Sequence, residues 1–178
     1  MSVNHVWLVT GPPGAGKTTV AHLLAGTMER AAHIDGDLLR QCIVTGGARP
    51  EQEPAAAAVR QMALNVRNQC LLARSFSEAG FVAVLDYLVT SRELLATYQD
   101  ELEGLGLHFV VLAPRQEILL KRDRGRAAVH GHTHEDSLYL ASVLTGELRD
   151  IGLWLDTSEL TPESTVDEIL KRKPEARV

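Results

Sequence analysis

The stretch HVWLVTGPPGAGKTTVAHLL, residues 5–24, joins an apolar run to a helical pattern through a glycine-rich turn. No other feature limits the fold as tightly. GPPGAGKT, from Gly11 to Thr18, matches the spacing G-x-x-x-x-G-K-[ST], in which backbone N–H groups converge on phosphate oxygens. The helix that follows adds the positive end of its dipole, and the apolar run before the loop supplies the strand that this motif requires. Gly11, Pro12, Pro13, Gly14, Ala15 and Gly16 form the cradle, and Lys17 reaches the β and γ phosphates. Thr18 supplies a hydroxyl to Mg²⁺, and Thr19 continues the helix start. A turn that merely joins strand to helix would not need this complete pattern.

Short β-rich runs alternate with longer helical patterns along the rest of the chain. HVWLVT, AAHI, FVAVLD, LHFVVLA and GLWLDT are the strand candidates. Helices are expected from Lys17, from about Asp37, after Ser91, in a long charged region from Arg115, and in TPESTVDEIL. Strands this apolar, each bounded by a helix, predict a parallel sheet covered on both faces, an α/β fold with a three-layer α/β/α sandwich. Thr161, Pro162 and Glu163 mark the last helix start: a cap, a first-turn proline and an early acid. Residues 55–79 carry apolar groups at mixed three and four spacing and end at Gly80, which predicts a long amphipathic helix. GGARPEQEPAAAA, residues 46–58, reads as a loop inside the domain.

With 178 residues and 45% hydrophobic content, the expectation is a single domain over residues 1–178 with its own core. Eighteen Lys plus Arg against 23 Asp plus Glu give a net charge of -5, which disfavours long nucleic acid as a partner. Cys42 and Cys70 have neither zinc-site spacing nor disulfide density, and both read as small apolar residues in a reducing interior. VWLVTG is too short for a signal or a membrane span, so a cytoplasmic protein without membrane contact is expected. Monomer and homodimer both stay open.

A phosphate cradle serves switches, hydrolases and transferases alike. The base-reading Asn-Lys-x-Asp of a GTPase is absent. FVAVLD ends in Asp86 followed by Tyr87, where an energy-coupling ATPase would carry a water-activating Glu. Asp86 should bind Mg²⁺ through water or the Thr18 hydroxyl, the alternative being a buried acid satisfied by backbone N–H. HIDGDLLR brings Asp35 and Asp37 to the carboxyl end of the second strand, where ligands bind in open α/β sheets. Asp35 suits a general base or an orienting carboxylate for an attacking hydroxyl, while Asp37, Arg40 and Tyr87 are candidate acceptor contacts. Capping of the next helix is the competing job for either aspartate, and the two jobs can coexist.

Taken together, GPPGAGKTT, HIDGDLLR, FVAVLD, a basic segment and LDTSELTPESTVDEIL resemble the small P-loop kinases over nearly the whole chain: gluconate kinase, adenylylsulfate kinase, shikimate kinase and chloramphenicol phosphotransferase. The resemblance implies a P-loop NTPase fold with a five-stranded sheet in the order 2-3-1-4-5 and a mobile lid. It also implies Asp35 as the catalytic base. The lid would be residues 115–135, where PRQEILLKRDRGRAAVHGHTH packs Lys121, Arg122, Arg124 and Arg126 into six residues. Arg122 and Arg126, four apart and so on one face, are the candidates to meet the transferring phosphoryl; a solvated charged helix is the alternative. In relatives, the segment matching Asp156, Thr157 and Ser158 lays backbone against the adenine; an ordinary strand-to-helix turn is the alternative.

His130, His132 and His134 alternate as ligands on an extended strand would, yet in a lid a solvated loop or a contact with substrate or phosphate is the better reading. Arg60 and Arg67, seven apart, share one face of the long helix and could reach a substrate or only water; Trp7 and Trp154 are expected in the core. QCIVTGGARP, after HIDGDLLR, lacks the signatures associated with gluconate or adenylylsulfate. The expected activity is therefore transfer of the γ phosphoryl of ATP, with Mg²⁺, to a hydroxyl of a small metabolite or antibiotic. The rivals are a kinase of 5′-hydroxyl polynucleotide ends and an ATPase or regulator without an acceptor.

Overall fold

The computed structural model describes residues 5–48, 55–123 and 134–178. Five strands, β1 (His5–Thr10), β2 (Ala31–Asp35), β3 (Val82–Asp86), β4 (Gly106–Leu112) and β5 (Leu153–Leu155), form one sheet in the order β2-β3-β1-β4-β5. All neighbours pair in parallel, so every strand delivers its carboxyl end to the same edge. This is the expected sandwich and strand order.

The helices are α1 (Lys17–Gly26), α2 (Gly36–Gln41), α3 (Ala55–Glu78), α4 (Arg92–Glu101), α5 (Gln116–Asp123), α6 (His134–Leu148) and α7 (Pro162–Lys171), with a closing 3-10 turn at Lys173–Ala176. Strand alternation divides the core between the two sheet faces. Val6 and Leu8 pack with Val66, Cys70 and Tyr98 on one side; Trp7 and Val9 pack with Val20, Leu24, Val166 and Ile169 on the other. The central strand is covered twice, which is why HVWLVT is apolar without interruption. The helix starts follow their signals: Ser91 and Thr161 cap α4 and α7 by accepting from Leu94 N and Ser164 N.

The helix expected from about Asp37 is α2, which opens at Gly36 because Asp35 caps it. The long helix expected over residues 55–79 is α3, which takes the last residues of the 46–58 loop; the Gln61 amide holds the preceding loop against it, donating to Gly46 O and accepting from Ala48 N, both at 2.7 Å. Among the described residues the charged region from Arg115 contributes α5 and α6. Trp154, expected in the core, is only half-buried because β5 is an edge strand; its indole N–H donates to Leu148 O at 3.0 Å and Ile151 O at 3.2 Å. Cys42 is exposed at the end of α2, whereas Cys70 is buried and its thiol is pushed up to about 12 chiefly by burial.

At the edge of the sheet opposite the phosphate loop, His108 is buried beside Trp7, its register partner, with ring centroids 4.5 Å apart. Burial first, then Lys173 and His5, hold its pKa down at about 4 against an ordinary 6.5. Between those values the unfolded chain binds a proton that the folded chain refuses, so acid costs stability. The expected loss on lowering the pH through 6.5 to 4 is up to about 3 kcal/mol. Denaturant unfolding at pH 7, 5.5 and 4.5 should show a steeper decline for the native chain than for His108→Phe. Equal declines would remove His108 as the cause.

Candidate functional site

Four loops meet at the carboxyl edge of the sheet. The first, Gly11–Gly16, connects β1 to α1, and α1 opens on Gly16 in a left-handed conformation, φ 96°, that a residue with a Cβ avoids. Ala15 N donates to Pro12 O at 3.1 Å, and Lys17 Nζ donates to the same carbonyl at 3.3 Å, which curls the lysine back over the loop.

The second and third loops leave β2 and β3, where the register pairs Asp35 with Asp86. Asp86 is buried, and both of its oxygens are engaged. Thr18 Oγ1 donates to Oδ1 at 3.3 Å, and His33 Nε2 lies 2.7 Å from Oδ2. A hydroxyl and a carboxylate oxygen this close, beside a phosphate cradle, are the hard-oxygen donor set that suits Mg²⁺ bound mainly through phosphates and water. Asp35 caps α2: its Oδ1 accepts from Asp37 N at 2.8 Å and Leu38 N at 3.1 Å, and among the described residues Oδ2 has no partner. The capping role weighed for Asp35 or Asp37 therefore falls to Asp35, because it still has extended backbone (φ -82°, ψ 112°) while Asp37 is already helical.

Asp37 and Arg40 are exposed on α2. Tyr87 is buried against Gly36, where an added Cβ would come within 2.5 Å of Tyr87 Cδ2 and 2.6 Å of Gln69 Nε2. The middle residue of Asp-Gly-Asp is thus glycine so that α3 and Tyr87 can approach the backbone. Asn65, on the same face of α3, donates to Gly36 O at 2.9 Å. Arg60 and Arg67 point to solvent as exposed residues.

The fourth loop follows β5. Asp156 Oδ1 accepts from Ser158 N at 2.9 Å and from the Ser158 hydroxyl, and these bonds hold its carboxyl below the usual range. Ser158 Oγ in turn accepts from Arg115 N at 2.8 Å, and Arg115 pairs with Glu159. Arg122, from α5, donates to Thr157 O at 3.0 Å. A cavity of about 330 Å³ lies between this loop and the phosphate cradle, lined by Gly14, Gly16, Thr19, Arg122, Thr157 and Leu160 among others. Thr157 Oγ1 is buried without a partner among the described residues.

Lys17, Thr18, Asp35, Asp86, Arg122 and the 156–158 turn therefore gather at one edge. Arg124, Arg126, His130 and His132 lie outside the described residues, as does part of the 115–135 segment; His134 begins α6. Among the described residues no group of three His, Cys, Asp or Glu side chains could hold a metal ion. Sequence reasoning missed His33, Asn65 and Gln69. His33 was within reach of it, because two residues before Asp35 on a strand is the same face. Asn65 and Gln69 gave no signal, since they interrupt an otherwise apolar stripe.

Comparison with known proteins agrees with this geometry. Residues 6–139 match the model of a family described as an AAA domain, AAA_33. The chain belongs to that family. Its fold is that of P-loop kinases. A sugar kinase from Janibacter sp. HTCC2649 superposes with a TM-score of 0.71 at 18% identity, over 97% of this chain and 96% of that one. The tunicamycin resistance protein of Deinococcus radiodurans gives 0.71 at 20% identity over 98% of each chain. The Mycobacterium tuberculosis APS kinase CysC in complex with AMPPNP and APS gives 0.68 at 17%, over 94% of this chain and 96% of that one. Among curated proteins, DNA polymerase III subunit gamma of Buchnera aphidicola is 45% identical over 42 residues, 24% of this chain and 12% of that protein. No helix among the described residues is long and apolar enough to cross a membrane.

Proposed function

We propose that this AAA_33 chain is an ATP-dependent kinase that phosphorylates a hydroxyl group of a small molecule. The observation that carries the reading is the pairing of Asp35 with Asp86 across β2 and β3: one carboxylate beside the Thr18 hydroxyl, the other capped on one oxygen with its second oxygen unpartnered among the described residues. Tyr87, buried where a water-activating acid would stand, argues against hydrolysis as the purpose. The reading takes residues 1–178 as one catalytic domain with residues 115–135 as its lid.

In this mechanism the β and γ phosphates lie on the Gly11–Gly16 amides and Lys17, with the base and ribose toward the Arg122–Thr157 cavity. Mg²⁺, held through Thr18 and Asp86, would neutralise charge on the phosphates. The acceptor hydroxyl gives its proton to Asp35 Oδ2 as its oxygen forms the new P–O bond in line with the breaking bond to ADP. Lys17 and the lid arginines, Arg122 and Arg126, meet the charge spread over the transferring group. Asp37, Arg40 and Tyr87 border the acceptor, and the 156–158 turn borders the adenine.

The related folds include a sugar kinase, a tunicamycin resistance protein and an APS kinase, so both metabolites and antibiotics belong in the test. ATP consumption with Mg²⁺ should be followed over sugars, sugar acids, shikimate, adenylylsulfate, nucleosides, tunicamycin, other hydroxylated antibiotics and a 5′-hydroxyl oligonucleotide, with mass detection of the product. One small molecule gaining a phosphate is the expected result. A phosphorylated oligonucleotide, or ATP loss indifferent to every acceptor, would overturn the reading.

A further inference from the structure

Asp86 is held from two directions, and only one of them belongs to the phosphate loop. Its carboxyl group is 2% exposed, so both oxygens need donors. Thr18 Oγ1 serves Oδ1. The donor to Oδ2 comes from the neighbouring strand: His33 pairs with Val84, two residues short of Asp86, and its imidazole reaches forward to place Nε2 at 2.7 Å. A carboxylate only accepts, so His33 Nε2 is the donor in this contact. His22 of α1, itself exposed, stands against the ring at 5.8 Å with 66° between planes. The chain from His22 through His33 to Asp86 and Thr18 thus ties α1, β2 and β3 together at the oxygen pair suited to Mg²⁺.

We propose that His33 is a positioning residue for Asp86, fixing its carboxylate so that Oδ1 stays with Thr18 and the pair presents a preformed oxygen site to the divalent ion of the nucleotide complex. The proposal rests on the kinase reading. A donor to the far oxygen of a metal-binding carboxylate restrains its rotation and sets its orientation, and loss of such partners weakens metal affinity about 10- to 100-fold in other sites.

The test uses the full chain, Mn²⁺ as the probe and the ATP analogue AMPPNP. Mn²⁺ binding to the protein–AMPPNP complex is read by electron paramagnetic resonance, and AMPPNP binding in chelator by calorimetry. His33→Leu removes the donor; His33→Asn keeps a polar side chain that stops short of Asp86 and serves if the leucine variant fails to fold. His33→Gln puts an amide N–H near the position of Nε2. The donor-lacking variants should weaken Mn²⁺ about tenfold or more while metal-free AMPPNP affinity stays within about twofold, and His33→Gln should recover most of the loss. Unchanged Mn²⁺ affinity in the folded donor-lacking variants, or a glutamine variant no better than they are, would reduce His33 to packing. A native chain that binds neither AMPPNP nor Mn²⁺ would overturn the kinase reading and this proposal together, and the native chain alone reveals that outcome.

Discussion

Replacing Asp35 by asparagine is expected to abolish phosphoryl transfer while leaving the fold and nucleotide binding almost untouched. The structure makes this substitution unusually clean. Asp35 Oδ1 caps α2 through Asp37 N and Leu38 N, and asparagine caps helices about as well as aspartate. What asparagine lacks is the basic oxygen for the acceptor proton, which general-base catalysis values at about 10²- to 10⁴-fold in rate. Turnover of the acceptor found by the panel should therefore drop by about two to four orders of magnitude, with ATP affinity within about twofold and thermal stability nearly unchanged. Asp35→Ala, by contrast, should lose the cap as well and about 1 kcal/mol of stability. Full transfer activity in the asparagine variant would show that Asp35 caps and does nothing more.

Lys17→Ala should act on the other half of the reaction. Lys17 starts α1 at the point where the loop amides converge, and its ammonium folds over Pro12 O. Its removal takes a positive charge from the phosphates in both the bound and the transferring state, so ATP affinity and turnover should fall together. A loss of about 10²-fold or more in each is expected from the weight of such preorganised charge. Arginine is not expected to rescue, because a planar guanidinium is larger than the compact ammonium this turn accommodates. Calorimetry with ATP and Mg²⁺ measures the binding part. Unchanged affinity in Lys17→Ala would remove the nucleotide from this loop.

The two residues were legible in the sequence for different reasons. Lys17 and Thr18 belong to a contiguous motif, and their local spacing carries their placement. Asp35 was legible through its position after an apolar run, yet its capping bond needed the dihedral angles at the end of β2 to be known. Asp86 could be paired with Thr18 by motif reasoning, whereas His33 could not be assigned to Asp86 from spacing along the chain. The two are 53 residues apart, and only the parallel pairing of β2 with β3 makes them neighbours. The long helix shows the same limit. Its period was visible, but beside Val66, Cys70 and Ala73 the buried face carries Asn65 and Gln69, because there it meets the Gly36 carbonyl and the Tyr98 hydroxyl, while Val59, Leu64 and Leu71 are exposed. Cys42 misled for a related reason: a residue type often buried sits at the last turn of a short helix at the rim.

By itself the sequence determined the alternation of strand and helix, the phosphate-binding loop and the presence of acids at two strand ends. Those features are local, written in period, capping chemistry and short spacing, and they hold whatever lies across the sheet. The tertiary structure alone decided which acid faces which donor: that Asp86 is gripped by Thr18 and His33, that Asp35 keeps one oxygen unpartnered among the described residues, and that Gly36 must be bare for Tyr87 and Gln69 to approach. Such contacts join residues 33 or more positions apart through strand register and helix packing, and a one-dimensional pattern holds no record of the distances those impose.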